Sequence, residues 1–145
     1  MEGDSDIFLV DTNVLIYAYE KEESEKRTRA FKLLVDCFSG RIKLAVSYQN
    51  LAEFVSAFTM KGRGDPVLVD TIVRDIVRYA GFIKLHYTGN TILLATSLMN
   101  QFKLPFWDSL LIATMKEHTL YNVYTENVRD FAVTGIRVVN PFVLL

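Results

Sequence analysis

Several acidic residues sit where a carboxylate is costly unless something uses it. Asp11 closes the apolar run Ile7-Phe8-Leu9-Val10, and Glu53 lies inside Leu51-Ala52-Glu53-Phe54-Val55. Asp108 opens the very apolar stretch Trp107-Asp108-Ser109-Leu110-Leu111-Ile112-Ala113. Glu126, followed by Asn127 and Asp130, comes just after Asn122-Val123-Tyr124-Thr125. Carboxylates at strand ends and helix starts are how a fold assembles an oxygen-only site for a hard divalent cation. Crowding them is unfavourable without one: a like-charge pair at about 4 Å costs roughly 4 kcal/mol at an effective dielectric of about 20. Mg²⁺ or Mn²⁺ would relieve that repulsion. With His86 and His118 the only histidines, a histidine-rich zinc site is not expected. The pattern points first to a metal-dependent enzyme.

Each carboxylate also has a plainer reading. Asp11 can cap the helix that follows it, since Asp is a favoured N-cap. Glu53 shares the face Gln49, Glu53, Ser56, Ala57, opposite an apolar stripe, and that face can simply be solvated. Asp108 gains from the helix dipole in its first turn. Burial there would still cost several kcal/mol without a cation or a donor to meet it. Glu126 and Asp130 fall in a loop and say little individually.

The elements that must position these groups alternate. Ile7 to Val10 is a short β-rich run, and Val14 to Tyr19 reads as a first helix. A second helix carries Phe31, Leu34, Val35 and Phe38 at helical spacing and stops at Ser39-Gly40. Leu44 to Ser47 reads as a strand, and Gln49 to Lys61 as a helix with Leu51, Phe54, Val55 and Phe58 on one face. Lys61-Gly62-Arg63-Gly64 is a turn. Asp65 then caps a helix with Pro66 at its first position and an inner stripe of Val69, Ile72, Val73, Ile76 and Ala80. Ile83 to Tyr87 is a strand, and Thr91 to Phe102 and Phe106 to His118 are helices separated around Pro105. Val123 to Thr125 and Ile136 to Val139 are the last strands. Strands alternating with helices describe an α/β protein whose parallel sheet is covered on both faces. Ligands bind such sheets outside the carboxyl ends of the strands. Asp11 and Glu126 fall at strand ends, and Glu53 and Asp108 lie on helices able to approach the same rim.

Composition narrows the class. The chain has 145 residues, 50% hydrophobic and 23% charged, with a net charge of −1. That is ordinary for one globular domain, and residues 1–145 are read as one. A near-neutral chain carries no global basic field to advertise nucleic acid. The densest basic run, Lys26, Arg27, Arg29 and Lys32, could steer a phosphate backbone. It lies beside Glu20, Glu22, Glu23 and Glu25, so a solvated helix face explains it as well. The lone Cys37 permits no intramolecular disulfide. No apolar stretch has the length of a membrane span. Met1 to Asp6 is acidic and polar, unlike a secretory signal. A cytoplasmic setting away from membranes is expected. Arg63-Gly64-Asp65 reads as a turn leading into a capped helix rather than as an adhesion motif. Tyr17, Tyr19, Phe31 and Phe38 read as core or self-association contacts, with base stacking as the alternative.

Four segments, in order, resemble those of PIN-domain nucleases. Ile7-Phe8-Leu9-Val10-Asp11-Thr12-Asn13 resembles the opening strand ending in Asp-(Thr/Ser)-Asn. Ser47-Tyr48-Gln49-Asn50-Leu51-Ala52-Glu53 is similar to the helix that carries the family's Glu. Phe106-Trp107-Asp108-Ser109 with Leu110 to Ala113 is similar to the segment in which Asp precedes a small residue and an apolar helix. Thr125-Glu126-Asn127-Val128-Arg129-Asp130-Phe131 resembles the closing Thr-x-(Asn/Asp) loop. The resemblance runs from about Ile7 to Val139, and the single-domain length suggests the VapC-like toxin branch.

The resemblance implies a three-layer α/β/α sandwich around a central, mostly parallel sheet of four or five strands. It implies Asp11, Glu53 and Asp108 as the shared acidic positions, with Asp11 and Asp108 as direct ligands of Mg²⁺ or Mn²⁺. Asn127 stands where many relatives carry Asp, so the fourth position is open among Glu126, Asn127 and Asp130. Strand alternation favours Asn127 or Asp130. Asn13 and Ser109 match positions that order the carboxylates or the substrate phosphate. The implied function is metal-dependent hydrolysis of RNA phosphodiester bonds by the toxin of a toxin–antitoxin pair, with a small antitoxin and a second copy of the chain as partners. The alternative is a non-catalytic PIN-like module that binds RNA or protein. A phosphotransfer receiver wants adjacent acids after the first strand, and a halo-acid-type phosphatase wants Asp-x-Asp. Asp11-Thr12-Asn13 supplies neither.

Overall fold

A computed structural model describes residues 6–60, 64–132 and 135–143. The turn expected at residues 61–64 therefore lies mostly outside the described residues. Five strands form one sheet: β1 (Phe8–Val10), β2 (Leu44–Ser47), β3 (Phe82–Leu85), β4 (Asn122–Tyr124) and β5 (Arg137–Val139). Their order is β3-β2-β1-β4-β5, and every neighbouring pair is parallel. The two orders in which strands leave β1 create a switch point at the centre of the sheet, beside the carboxyl ends of β1 and β4. That is where doubly wound sheets open a ligand crevice.

Strand alternation separates two cores. Phe8 and Val10 of β1 and Leu44 and Val46 of β2 face one side. There they meet α1 (Thr12–Ala18), α2 (Glu25–Phe38), α3 (Tyr48–Thr59) and α4 (Pro66–Arg78). Leu9, Ala45 and Val123 face the other side and meet α5 (Gly89–Phe102) and α6 (Phe106–Glu117). Because side chains alternate across a strand, one three-residue strand feeds both layers. The helical stripe of α4 buries Val69, Ile72 and Ile76, while Val73 is partly buried and Ala80 lies exposed beyond the helix.

Local signals explain where the elements begin. Asp65 caps α4, its carboxylate accepting from the Val67 N–H at 3.0 Å, with Pro66 in the first turn. Thr88 and Thr91 form a capping box that starts α5 at Gly89, two residues earlier than the apolar pattern suggests. Lys103 ends α5 in the left-handed region at φ 56°, ahead of Leu104-Pro105. Lys84 donates to the Tyr79 carbonyl at 2.9 Å and the Ile76 carbonyl at 3.3 Å, closing the open end of α4. β3 ends at Leu85 rather than Tyr87. A single turn, α7 (Val128–Phe131), fills what reads from sequence as loop, anchored by the buried Phe131. Among the described residues, no helix is long and apolar enough to cross a membrane.

Candidate active site

Asp11 and Thr125 end neighbouring central strands at the same level. Val10 pairs with Tyr124, and the Asp11 N–H donates to the Tyr124 carbonyl at 3.0 Å. Asp11 caps α1, as its plain reading requires, with Oδ1 accepting from the Thr12 N–H at 2.8 Å. The capping bond uses part of one oxygen. Oδ1 also accepts from Asn50 Nδ2 at 3.3 Å, and Oδ2 accepts from Thr125 Oγ1 at 2.8 Å and Asn13 Nδ2 at 3.4 Å. These donors orient the carboxylate, but all are neutral. Burial pushes the Asp11 carboxyl up from its usual range; the Thr125, Thr12 and Asn50 bonds oppose that, and the Glu53 charge adds to it.

Glu53 is held by Thr12, whose Oγ1 donates to Glu53 Oε1 at 2.8 Å while accepting from Asn50 Nδ2 at 3.0 Å. Asn50 can reach both because of how α3 starts. Ser47 caps the helix, and the Asn50 Oδ1 turns back to the Ser47 N–H at 3.3 Å. The amide NH₂ then points toward Asp11 and Thr12. The capping box of α3 thus fixes the spacing of two carboxylates on different elements.

Asp108, in the first turn of α6, shows most clearly what surrounds it. Its carboxyl is pushed up to about 7, first by burial, then by its hydrogen bond with Asp130, then by the charges of Asp130, Asp11 and Glu53. Asp130 is held low, first by the Asn127 side chain and then by Asp108. Asn127 Nδ2 donates to Asp130 Oδ2 at 2.9 Å, and its N–H donates to Thr125 Oγ1 at 3.0 Å. A hydrogen bond thus joins Asp108 to Asp130, with the proton favoured on Asp108, within the field of Asp11 and Glu53. Around Asp11 and Asp108 the acting groups among the described residues are burial, neutral donors and other acids.

Glu126 points elsewhere. It pairs with Lys26 and accepts from the Tyr17 hydroxyl at 3.4 Å. Strand alternation anticipates this split, with Glu126 turned away from Asp130. Asn127 braces Asp130 and is itself exposed. Asn13 accepts the Glu126 N–H at 3.4 Å and steadies Asp11. Ser109 is fully buried and donates to the Pro105 carbonyl at 3.0 Å. It can order the start of α6, but it is not exposed to a substrate.

Among the described residues, no three His, Cys, Asp or Glu side chains are gathered closely enough to hold an ion alone. The donor set still fits a hard cation. Mg²⁺ is commonly held by one or two carboxylates, with water in its remaining positions. Asp11 and Asp108 would supply those two, with Glu53 and Asp130 close by.

A family model described as the PIN domain matches residues 8–135. The chain belongs to the PIN-domain family. No curated protein matches it. Solved structures do, over nearly the full chain. A toxin–antitoxin complex from Klebsiella pneumoniae is 22% identical with a TM-score of 0.65, covering 92% of this chain and 97% of its own. VapC20 of Mycobacterium tuberculosis, described as a sarcin-ricin loop cleaving toxin, is 16% identical with a TM-score of 0.69, covering 90% and 96%. The FitAB structure bound to an IR36 DNA fragment is 21% identical with a TM-score of 0.74, covering 96% and 97%. At these identities the likeness is one of fold.

In this PIN domain the carboxylates singled out from sequence lie on four different elements around one rim. Thr12, Asn50 and Thr125, the groups that hold them, are missed by sequence reading. Asn50 and Thr125 are fully buried, and a buried polar side chain needs partners. Their positions beside Asp11 and Glu53 in the motifs were the available signal. The basic run on α2 is largely spent on ion pairs. Lys26 is on Glu126, Arg29 on Glu25 at 3.3 Å, and Lys32 on Asp36 at 2.9 Å. The solvated-face reading accounts for Arg29 and Lys32, while Lys26 reaches across to the closing loop.

Proposed function

We propose that the protein is a Mg²⁺- or Mn²⁺-dependent ribonuclease and the toxin of a toxin–antitoxin pair, acting in the cytoplasm. The observation that carries this is the convergence of Asp11, Glu53, Asp108 and Asp130, from four different elements, beside the carboxyl ends of β1 and β4. A fold that gathers four acids at a sheet switch point, with Arg129 acting on Asp130 alone, is suited to take up a cation there. PIN-family membership supplies the nuclease class, and the toxin complexes of the same fold support the toxin reading.

In this reading Asp11 and Asp108 hold the cation, which when bound supplies charge neutralisation and Lewis-acid activation at the scissile phosphate. Glu53, fixed by Thr12, accepts a proton from the attacking water. Asp130, braced by Asn127, would accept the hydrogen bond of Asp108 and hold that carboxyl toward the rim. Asn13 keeps Asp11 aligned, and Ser109 holds the first turn of α6 so that Asp108 faces the rim. A small antitoxin is the proposed protein partner, supported by the toxin–antitoxin complexes among structures of this fold. Self-association is supported by Phe31 and Val35, which remain 44% and 42% exposed on α2.

Purified protein should cleave an RNA pool with Mg²⁺ or Mn²⁺ and stop in EDTA. Undiminished cleavage in chelator, with metal content verified, contradicts the mechanism. The scarcity of gathered ligands among the described residues favours a second reading, a non-catalytic PIN-like module for RNA or protein. RNA binding without cleavage at any metal concentration would select it.

A further inference from the structure

Lys26, in the first turn of α2, acts on a residue a hundred positions later. Its Nζ pairs with the Glu126 carboxylate and donates to the Tyr17 hydroxyl at 3.4 Å. The Tyr17 hydroxyl in turn donates to Glu126 Oε1 at 3.4 Å. The ammonium also lies 5.0 Å from the centroid of the Tyr17 ring and 5.7 Å from that of Phe142, and those two rings meet edge to face at 5.1 Å. An ion pair between two free surface side chains contributes little, because both must give up rotamers. Here the lysine is already seated against two aromatic faces. Side chains from α1, α2 and the C-terminal stretch thus close around one carboxylate.

Glu126 is the single residue between two that brace the acidic rim. Thr125 Oγ1 donates to Asp11 Oδ2 at 2.8 Å, and Asn127 Nδ2 donates to Asp130 Oδ2 at 2.9 Å. The Asn127 N–H returns to Thr125 Oγ1 at 3.0 Å, which ties the three residues into one local turn. The Glu126 N–H donates to Asn13 Oδ1 at 3.4 Å, and Asn13 Nδ2 donates to Asp11 Oδ2 at 3.4 Å. The element that follows, α7, is one helical turn of 4 residues, too short to hold its own position. The placement of Asp130 therefore depends on Phe131 in the core and on what fixes residues 125–127.

We propose that Lys26 is a positioning residue for the acidic rim: by clamping Glu126 to α1 and α2 it fixes the turn at residues 125–127, so that Thr125 meets Asp11 and Asn127 meets Asp130 at the same time. The consequence for cleavage rests on the ribonuclease reading. Lys26 touches neither Asp11 nor Asp108, and it acts on them only through Glu126. Releasing the clamp leaves the acids in place and loosens their donors, which misaligns a reacting centre without removing any group that binds RNA.

Cleavage rates against RNA concentration, and amide hydrogen exchange of the metal-free protein, are measured on wild type, Lys26→Met, Glu126→Ala and the double variant. Methionine keeps an apolar stem against Tyr17 and Phe142 and removes the charge. Lys26→Met should lower kcat by roughly tenfold, the loss expected of one misaligned donor, and leave KM for RNA unchanged. The double variant should be no slower than either single one, because all three remove the same contact. Without metal, the Thr125 and Asn127 amides of Lys26→Met should exchange about tenfold faster while the α6 amides keep their protection. Lys26→Gln provides the same test if the methionine variant folds poorly. A raised KM with kcat intact, or losses that add in the double variant, would make Lys26 a direct phosphate contact and overturn the proposal. So would exchange at Thr125 and Asn127 that matches wild type. Faster exchange there in a protein that never cleaves RNA would instead overturn the ribonuclease reading and leave the clamp standing.

Discussion

Asp36 and Asp108 are the same residue type in opposite surroundings. Asp36, on α2, meets Lys32 at 2.9 Å and Arg41 at 3.0 Å, and these cations hold its carboxyl below the usual range. Asp108 meets Asp130, Asp11 and Glu53, and its carboxyl is pushed up to about 7. On α2 every acid has a nearby base, and the charges cancel on the surface. At the sheet switch point acids are collected, with neutral donors on Asp11 and Glu53 and only the adjacent Arg129 charge acting on Asp130 among the described residues. Under the proposed function, the difference separates a charge that maintains a surface from a charge kept available for a cation. It also shows why position in the fold, rather than the count of acids, locates the site.

The sharpest way to break this comparison is substitution at both places. Asp11→Asn or Asp108→Asn should lower RNA cleavage by at least about a hundredfold, the scale set by removing one preorganised charge from a reacting centre. Thermal midpoints of the metal-free variants should hold or rise, because each substitution removes repulsion. Asp36→Asn should do the reverse: cleavage unchanged and the midpoint slightly lower. Rates and melting curves on the same preparations check both halves. Unfolding of the Asp11 and Asp108 variants would reduce those residues to structural caps.

A smaller effect should appear with pH. The Asp108 carboxyl is raised in the fold, so the folded state binds the extra proton between the ordinary carboxylate value, 3.8, and about 7. Stability of the metal-free protein should therefore fall as pH rises through that window. Asp36 has the opposite sign, since its lowered carboxyl contributes stability above 3.8 that is lost as pH falls through its folded value. Melting wild type and Asp108→Asn at pH values below and above 7 tests this. The Asn variant should gain more at the higher pH, and a gain independent of pH would remove the Asp108 proton from the account.

The smallest effect should come from the neutral donors. Thr125→Val deletes the 2.8 Å bond to Asp11 Oδ2. It should slow cleavage by roughly tenfold or less, the worth of about one hydrogen bond. Thr125→Ser should restore the rate. Failure of the serine variant to rescue would mean that packing, rather than donation, is what Thr125 provides.

Much of this was legible from sequence, for identifiable reasons. Asp11 stood out because it closes an apolar run, and Asp108 because apolar neighbours wrap the helix around it. The α4 start was readable from Asp65-Pro66, since capping and a proline in the first turn act locally. The sheet was legible as parallel and five strands fell within the expected range, because short β-rich runs alternate with helices. What escaped depends on contacts distant in sequence. The face of α3 bearing Gln49 and Glu53 reads as solvated, yet Gln49 is buried, with its Nε2 donating to the Trp107 carbonyl at the start of α6. Glu126 looks as available as Asp130 until Lys26, a hundred residues earlier, claims it. Thr12, Asn50 and Thr125 resemble ordinary capping and strand-end residues, and only the assembled rim shows that they share Asp11 and Glu53. The single turn of α7 is too short to have a period.

Calorimetric titration of the metal-free protein with Mn²⁺, in buffers of differing ionisation heat at pH 6.5, tests the acidic rim most directly. Binding at a single class of site should release close to one proton, the one favoured on Asp108, because ligands must shed protons to take up a metal. Affinity should tighten as pH rises past about 7, where that carboxyl ionises. Asp36→Asn should bind as wild type does, and Asp108→Asn should bind far more weakly without proton release. Binding that is absent in wild type, or unchanged in Asp108→Asn, would contradict the claim that this rim exists to hold a cation.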